Sequence, residues 1–247
     1  MAHERSEAEE DAREAARQRG IADACLGSDG PAEGRLGLYR RLIQGNLAAV
    51  ARRLVPRTAD ALDATPGESY AGWFARFLAD AGPRTPFLRD VPGELVAWAR
   101  PLWETAGLPP FLGDLARYEI DLFELDAAPQ GPPAPPLAEV ALDRRLVFAS
   151  PRKLARFDHA VEELSLPLPQ RRTYILMHRD AENTVHSEVL AAPDALWLEH
   201  AIDGAPLGLA LARTAEGSQR SEAEMLDVAR VLADLAAKGA LLGGDGS

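Results

Sequence analysis

Residues 108–125 read LPPFLGDLARYEIDLFEL, and this stretch decides how the chain is organised. Pro109 and Pro110 are typical of a helix start, because a residue in the first turn needs no backbone N–H donor. In the helix that follows, at about 100° per residue, apolar side chains recur on one stripe. The stripe consists of Phe111, Leu115, Tyr118, Leu122 and Leu125. We therefore predict an amphipathic helix that packs one face into a core.

Glu119 is the residue that breaks this pattern. It falls between Leu112 and Leu122, inside the apolar arc, where a lone carboxylate is costly. An earlier amphipathic stretch, RLGLYRRLIQGNLAAVARRL at 35–54, likewise places Arg40 on its apolar side. Because a buried carboxylate and a buried guanidinium are tolerated mainly as a pair, we predict a structural ion pair between Arg40 and Glu119. The polar face of the later helix is expected to carry Asp114, Arg117, Asp121 and Glu124.

The first half of the chain reads as helices throughout. Residues 4–24 are charged and Ala-rich, and they predict a marginal helix. In the helix over 35–54, Tyr39, Ile43 and Leu47 are expected to face inward. The stretch from Ser69 to Ala79 predicts a strongly aromatic helix, whose spacing is typical of a core. We assign residues 1–126 to an all-α helical domain.

A proline-rich segment follows this domain. Residues 127–137 read AAPQGPPAPPL and contain five prolines, which favour an extended backbone and exclude a helix or a central strand. The sequence therefore predicts a linker over 127–137 and a second domain over 138–247. The expected fold class is an N-terminal all-α domain followed by a smaller α+β domain with a short antiparallel sheet.

The second domain combines strand and helix signals. The run from Thr173 to His178 and the alternating residues 184–190, with turn residues between them, predict a β-hairpin. Ser150-Pro151 is interpreted as the cap of a helix that ends at Leu164. Ser221 and Glu224 have the spacing of a capping box at the start of a final helix.

Composition excludes several classes of protein. The net charge of −11 argues against a non-specific nucleic-acid binder, which needs a positive field. The one cysteine excludes an intrachain disulfide. No apolar run is long enough for a membrane span, and the N-terminal residues lack the apolar core of a secretory signal. We expect a cytoplasmic protein that binds neither nucleic acid nor membrane.

The sequence offers few residues for catalysis. It contains no P-loop, no dinucleotide-binding glycine motif, no nucleophile elbow and no zincin motif. His178 and His186 are expected to lie near each other across the hairpin, with His200 a possible neighbour. Surface or internally bonded histidines remain the default, and a metal site the alternative, because no carboxylate spacing supports ligation. We predict a binding partner with no catalytic residue, metal ligand or cofactor in this chain.

Four motifs resemble the HvfC/BufC family, which also carries the label of a putative DNA-binding domain. They are LGLYR at 36–40, the proline of LVPRTADAL at 54–62, WFARFL at 73–78 and LPPFLGDLARYE at 108–119. The family pattern, a Tyr-Arg pair followed by an "lP.yl.dLArlE" helix, is matched at Tyr39-Arg40 and at 108–119. The resemblance covers about residues 20–126 and is weak beyond them.

This resemblance implies an accessory subunit without iron ligands of its own. Members of the family, and the similar MbnC-type proteins, form a heterodimer with a TIM-barrel multinuclear iron enzyme that modifies cysteines of a ribosomally made precursor peptide. The accessory subunit is expected to hold the leader of the precursor, and strand addition at a sheet edge would suit that task. The predicted edge strand comprises Arg172, Thr173, Tyr174, Ile175, Leu176 and Met177, with Val185–Val189 as the second choice.

Two other functions remain open from the sequence. A DNA-binding regulator is the alternative that the family label suggests, but it requires a basic recognition helix. The densest basic cluster, Arg52, Arg53 and Arg57, is better interpreted as a solvated face or a protein contact. A self-sufficient metalloenzyme that uses the hairpin histidines is the other alternative.

Overall fold

The computed structural model describes residues 34–85, 87–132, 134–215 and 221–246. The chain divides into two compact units, residues 1–117 and residues 118–247. Helices come first, and two small antiparallel sheets with further helices follow, which confirms the predicted fold class. The helix predicted over residues 4–24 lies outside the described residues. Among the described residues, no helix is both long enough and apolar enough to cross a membrane.

The described part of the N-terminal unit is built from helices. They are α1 (Gly34–Leu54), α2 (Pro56–Asp63), α3 (Tyr70–Asp80) and α4 (Val91–Thr105), followed by the start of α5 (Leu112–Ala127). The second half of α1 buries Leu47 and Ala51, whereas Tyr39 is 61% exposed. The prediction that Tyr39 and Ile43 face inward is therefore wrong, because these two side chains, like Leu38 and Leu42, are exposed to solvent.

Aromatic side chains form the centre of this unit, as the sequence predicts for 69–79. Trp73 on α3 lies edge-on to Trp98 and Trp103 on α4, with both pairs of ring centroids 6.2 Å apart. Such edge-to-face pairs stabilise a core beyond the area that they bury. The Oγ atom of Ser69 caps α3 by accepting a hydrogen bond from the backbone N–H of Gly72, at 3.0 Å.

The described part of the C-terminal unit contains two three-stranded antiparallel sheets. Its elements are β1 (Leu137–Ala138), β2 (Leu146–Phe148), β3 (Arg152–Phe157), β4 (Thr173–Arg179), β5 (Val185–Leu190), α6 (Ala192–Ile202), α7 (Leu207–Thr214), α8 (Glu222–Ala237) and β6 (Leu241–Asp245). The strand orders are β1-β6-β2 and β3-β4-β5. The strands pack with the helices around a core that includes Leu176, Trp197 and Leu235. Ser221 and Glu224 form the predicted capping box of the last helix.

The helix predicted from Ser150 to Leu164 is not formed. Residues 152–157 are strand β3, which pairs along its whole length with β4. Leu154, Phe157 and Val161 suggested a helical period, but backbone pairing with β4 overrides this local spacing. The predicted hairpin is present, with β4 and β5 joined through a turn at 180–184. In that turn the Thr184 N–H donates to Oδ1 of Asp180, at 2.8 Å.

Helix α5 contains the boundary between the two compact units, which falls between Arg117 and Tyr118. The sequence places the domain boundary later, at 126/127, where α5 ends. The second half of α5 packs on the β3-β4-β5 sheet: the Tyr118 hydroxyl donates to Oγ of Ser187 at 3.1 Å, and Lys153 Nζ lies 2.5 Å from Oδ1 of Asp121. Asp121 is therefore only 3% exposed, and its predicted place on a solvated face is wrong.

Candidate functional site

The strand predicted to be an open edge is the central strand of its sheet. Residues 173–179 form β4, which pairs with β3 on one side and with β5 on the other. Tyr174–Met177 pair on both sides, Thr173 pairs with β3 alone, and Arg172 stands just before the strand. Ile175, Leu176 and Met177 are buried. The proposal of Arg172–Met177 as the peptide-binding edge is wrong, because a strand paired on both sides has no backbone edge to offer.

The second choice of edge strand lies at an edge of its sheet. Val185–Val189 falls within β5, and in the described part of the chain β5 pairs with β4 alone. Val189 is exposed, and the other β5 residues are partly exposed. Strand β3 is the opposite edge of the sheet, and the sequence interpretation missed it because 150–164 was assigned to a helix.

One face of this sheet carries a row of three basic or titratable side chains. Arg152 on β3 pairs with His178 on β4, and His178 pairs with His186 on β5. Residues that pair directly across antiparallel strands project to the same face. The rings of His178 and His186 stack with their centroids 5.2 Å apart, which confirms that these two histidines lie near each other.

A cavity of about 850 Å³ lies beside this row, within the C-terminal unit. Its wall includes the proline-rich segment, strand β2, the turn between β4 and β5, and the end of α8. Arg152 and His186 of the row line it, together with Arg145. Apolar residues contribute Phe148, Ala201, Ile202 and Leu242 to the same wall. The size and the mixture of apolar and polar walls are typical of small-ligand sites.

His178 is a buried neutral imidazole. It is 1% exposed, and its Nε2 lies 3.1 Å from the carbonyl oxygen of Lys238. A carbonyl only accepts, so Nε2 carries the hydrogen and Nδ1 is a bare acceptor. Burial lowers the pKa of His178 below its ordinary value, against the opposing effect of the bond to Lys238. Within the described residues Nδ1 has no hydrogen-bond partner.

The other titratable groups near this row are paired. Nε2 of His186 lies 2.6 Å from Oδ2 of Asp180. This hydrogen bond, and a second from the Thr184 backbone N–H, lower the pKa of the Asp180 carboxyl. Lys238 bonds both Glu188, at 2.5 Å, and Asp234, at 2.8 Å. These contacts leave His186 and Lys238 with carboxylate partners inside the protein.

Arg152 is only partly satisfied. Its Nη1 donates to the carbonyl oxygen of Ala149 at 3.3 Å, and its guanidinium lies over the ring of Phe148 at 5.5 Å. Its buried Nε has no hydrogen-bond partner within the described residues. Burial lowers the pKa of the Arg152 guanidinium, which nevertheless stays protonated at neutral pH. Arg145, which lines the same cavity, is exposed and forms no side-chain ion pair with the described residues.

The remaining predicted site residues belong to different compact units. Arg40 lies on α1 in the N-terminal unit, and Glu119 lies in the C-terminal unit, where it is 7% exposed. Burial of Glu119 agrees with its position in the apolar arc, whereas its pairing with Arg40 stays a prediction. Among the described residues, no group of three or more His, Cys, Asp or Glu side chains is arranged to hold a metal ion.

The cavity itself was not foreseen from the sequence. Arg152 was assigned to a helix, and Arg145 and Lys238 stand in stretches without a recognisable motif. The one signal that pointed towards it was the spacing of His178 and His186 across the hairpin. Pairing with the correct neighbour strand was needed to add Arg152 to the same row.

The buried neutral state of His178 predicts a pH-dependent stability. Between the lowered pKa of the folded state and the ordinary value of 6.5, the unfolded chain binds a proton that the folded chain does not bind. The free energy of unfolding therefore falls as the pH drops through this window, by up to about 1.4 kcal/mol per pH unit. Urea unfolding between about pH 7.5 and about pH 5.5, followed by hydrogen exchange in β4, measures this slope.

The variant His178→Gln separates this effect from other titrations. Its amide can still donate to the carbonyl oxygen of Lys238, but it does not titrate. We expect its stability to depend less on pH, by about 1 kcal/mol over the same interval. His200→Gln, on the partly exposed α6 residue, is the matched control, and the change of slope in His178→Gln should exceed the change in this variant. Equal slopes in the wild type and His178→Gln would contradict the assignment.

The sequence matches no protein-family model, and no curated protein is detectably similar to it.

Proposed function

We propose that this chain is a non-catalytic accessory subunit that forms a heterodimer with a TIM-barrel multinuclear non-haem iron enzyme and recognises the leader of a ribosomally made precursor peptide. The motifs at 36–40, 54–62, 73–78 and 108–119, which resemble the HvfC/BufC family, support this proposal. The order of a helical unit and then a unit with small antiparallel sheets agrees with it. Iron would be held by the partner, and this chain would position the peptide.

One observation supports peptide recognition most directly, namely the open edge of β5. In the described part of the chain its backbone pairs on one side only, with β4. An extended peptide could add there as a further strand, with affinity from main-chain hydrogen bonds and specificity from alternate side chains. Val189, exposed on this strand, would contact the side chains of the incoming peptide.

Purification with the expected partners tests the proposal as a whole. We expect the gene to lie beside genes for an iron-binding barrel protein and for a short precursor that contains cysteine. The full-length chain should co-elute with the barrel protein in size-exclusion chromatography and should bind the leader peptide in calorimetry. Separate elution together with no leader binding would reject the proposal. A salt-dependent shift of DNA mobility would favour the regulator instead.

Paired proline variants test the edge itself. Successive N–H groups along a strand point alternately towards β4 and towards the open side. Of Glu188→Pro and Val189→Pro, one should therefore remove a bond to β4 and destabilise the sheet. The other should keep the fold and weaken leader binding by about tenfold or more, because it removes a donor for the peptide. Hydrogen exchange identifies which variant remains folded.

Strand β3 supplies the control for this experiment. Proline at Leu154 or Ala155 alters the opposite edge of the same sheet. The folded variant of this second pair should bind the leader with unchanged affinity. Loss of binding in the β3 variant, with binding retained in the folded β5 variant, would contradict the assignment to β5.

A further inference from the structure

A buried hydrogen-bond donor without a partner lies on the wall of the cavity. It is Nε of Arg152, which has no hydrogen-bond partner within the described residues. Because folded proteins leave few buried polar groups unsatisfied, such a group calls for an explanation. A donor in this position points to a bound group that accepts hydrogen bonds. Nδ1 of His178, the other unpartnered atom of the row, is an acceptor on a residue outside the cavity wall, so an anion would not satisfy it.

The charges around the cavity point to the sign of that group. Arg145 and Arg152 line the cavity without a carboxylate partner among the described residues, in a chain whose net charge is −11. Arg179, which also lines the cavity, donates to backbone carbonyls instead. The carboxylates on the wall are those of Asp180, Glu182 and Asp245, and Asp180 is bonded to His186. The cations available to a ligand are therefore the two arginines.

The walls favour a single negative charge on an apolar body. Phe148, Ala201 and Ile202 present apolar surface, and the desolvation of a dianion beside it would cost more than that of a monoanion. Guanidinium groups bind carboxylates through charge-assisted hydrogen bonds, which are the stronger kind. The volume of about 850 Å³ leaves room for several carbon atoms beyond the carboxylate.

We propose that the cavity between β2, β3 and the end of α8 is a binding site for a monocarboxylate with an apolar body, held by Arg152 and Arg145. The carboxylate could belong to a free acid or to the last residue of a polypeptide, and the chemistry of recognition is the same. This site differs from the open backbone edge of β5, although the His186 side chain lines it, and its existence does not rest on the proposed function.

Binding of hexanoate to the full-length chain tests the site. Hexanamide has the same shape without the charge, and acetate has the charge without the apolar body. We expect hexanoate to bind at least about tenfold more tightly than either, measured by calorimetry and by the shift of the Arg152 Nε–H signal in NMR. A tripeptide with an apolar last residue, compared with its C-terminal amide, tests the polypeptide source in the same way.

Variants assign the binding to the arginines. Arg152→Gln should weaken hexanoate binding by about tenfold or more, and Arg145→Gln should weaken it by a smaller factor because Arg145 is exposed. Arg156→Gln, on the same strand and the same face but outside the cavity wall, is the matched control and should bind as the wild type does. Hydrogen exchange in β4 confirms that each variant is folded.

Three results would overturn the proposal. Equal affinity for hexanoate and hexanamide would show an apolar cavity without anion recognition. No saturable binding of hexanoate or of the tripeptide acid at about 10 mM would show that the unpaired Nε–H of Arg152 is satisfied by water alone. Unchanged binding in a folded Arg152→Gln variant would place the carboxylate elsewhere. None of these results depends on leader binding or on the iron partner.

Discussion

Replacement of Arg179 by methionine is expected to lower the free energy of unfolding of the C-terminal unit by about 3 kcal/mol. Arg179 is the last residue of β4 and is 7% exposed. Its Nη1 donates to the carbonyl oxygens of Leu125, Asp126 and Ala128, at 3.3, 2.9 and 2.8 Å. The last carbonyls of a helix have no partner within the helix, so this guanidinium satisfies the end of α5 from the neighbouring sheet.

Methionine is chosen because it keeps much of the length and packing of the arginine side chain while removing every donor. The carbonyls of α5 would then be left without this partner in a largely buried place, which costs more than a typical hydrogen bond. Urea unfolding followed by near-UV circular dichroism and by hydrogen exchange in β4 measures the loss. Arg179→Lys, which keeps the charge but has a compact ammonium, should lose less than Arg179→Met.

Arg172→Met is the matched control for this substitution. Arg172 stands just before β4, is exposed, and lies 3.7 Å from an exposed Asp158. Exposed pairs of this kind contribute little, so the control should change the stability by less than about 0.5 kcal/mol. A loss in Arg179→Met no larger than the loss in Arg172→Met would contradict the role of Arg179 at the helix end.

The second large effect concerns the pair formed by Asp121 and Lys153. Lys153→Met is expected to lower the free energy of unfolding by about 2 kcal/mol, because it leaves the carboxylate of Asp121 buried without its ammonium partner. We place this value below that of a fully buried pair, since the Lys153 side chain is 44% exposed and solvent screens the interaction. Oδ2 of Asp121 already lacks a partner within the described residues, which leaves little capacity for compensation.

A double-mutant cycle distinguishes an unpaired charge from lost packing. Asp121→Leu combined with Lys153→Met replaces both members of the pair by apolar groups, and a buried ion pair so replaced often loses little stability. We expect the double variant to recover most of the stability lost in Lys153→Met. Additive losses in the cycle would show that the ammonium and the carboxylate contribute independently. Urea unfolding of all four proteins provides the measurement.

The features that the sequence predicted correctly are those encoded within a few residues. The hairpin of β4 and β5 follows from an apolar run, a turn and an alternating run. The cap of the last helix follows from Ser221 and Glu224, three residues apart. The aromatic spacing of α3 gave the core of the N-terminal unit. In each case the physical cause acts between near neighbours in the chain.

The features that were predicted wrongly depend on distant partners. Residues 152–157 have a spacing that suits a helix, but β4 supplies the hydrogen bonds that make them a strand. These residues form one edge of the sheet, so β4 is its central strand and not the edge that the sequence predicts. Asp121 has the position of a solvated residue on the helical wheel. It is nevertheless buried, where it forms an ion pair with Lys153, on a strand 32 positions away.

The cavity shows the same dependence on long-range pairing. His178 and His186 are close in sequence, and their proximity was predicted from the hairpin. Arg152 joins them through the register of β3, and Lys238 accepts a bond from His178 across 60 positions. Only part of a candidate site that is assembled from three strands and a helix end can therefore be predicted from the sequence.

The course of α5 through the unit boundary limits how evolution or a protein engineer could separate the two halves of this chain. The proline-rich segment is the place where a cut suggests itself, but a fragment that begins there lacks the turns from Tyr118 onwards. Such a fragment would lack Tyr118 and Asp121, the partners of Ser187 and Lys153, and two of the three carbonyls to which Arg179 donates. Recombination that inherits the C-terminal unit intact must carry α5 from Tyr118 onwards, so the end of the motif at 108–119 that helps to define the first half travels with the second.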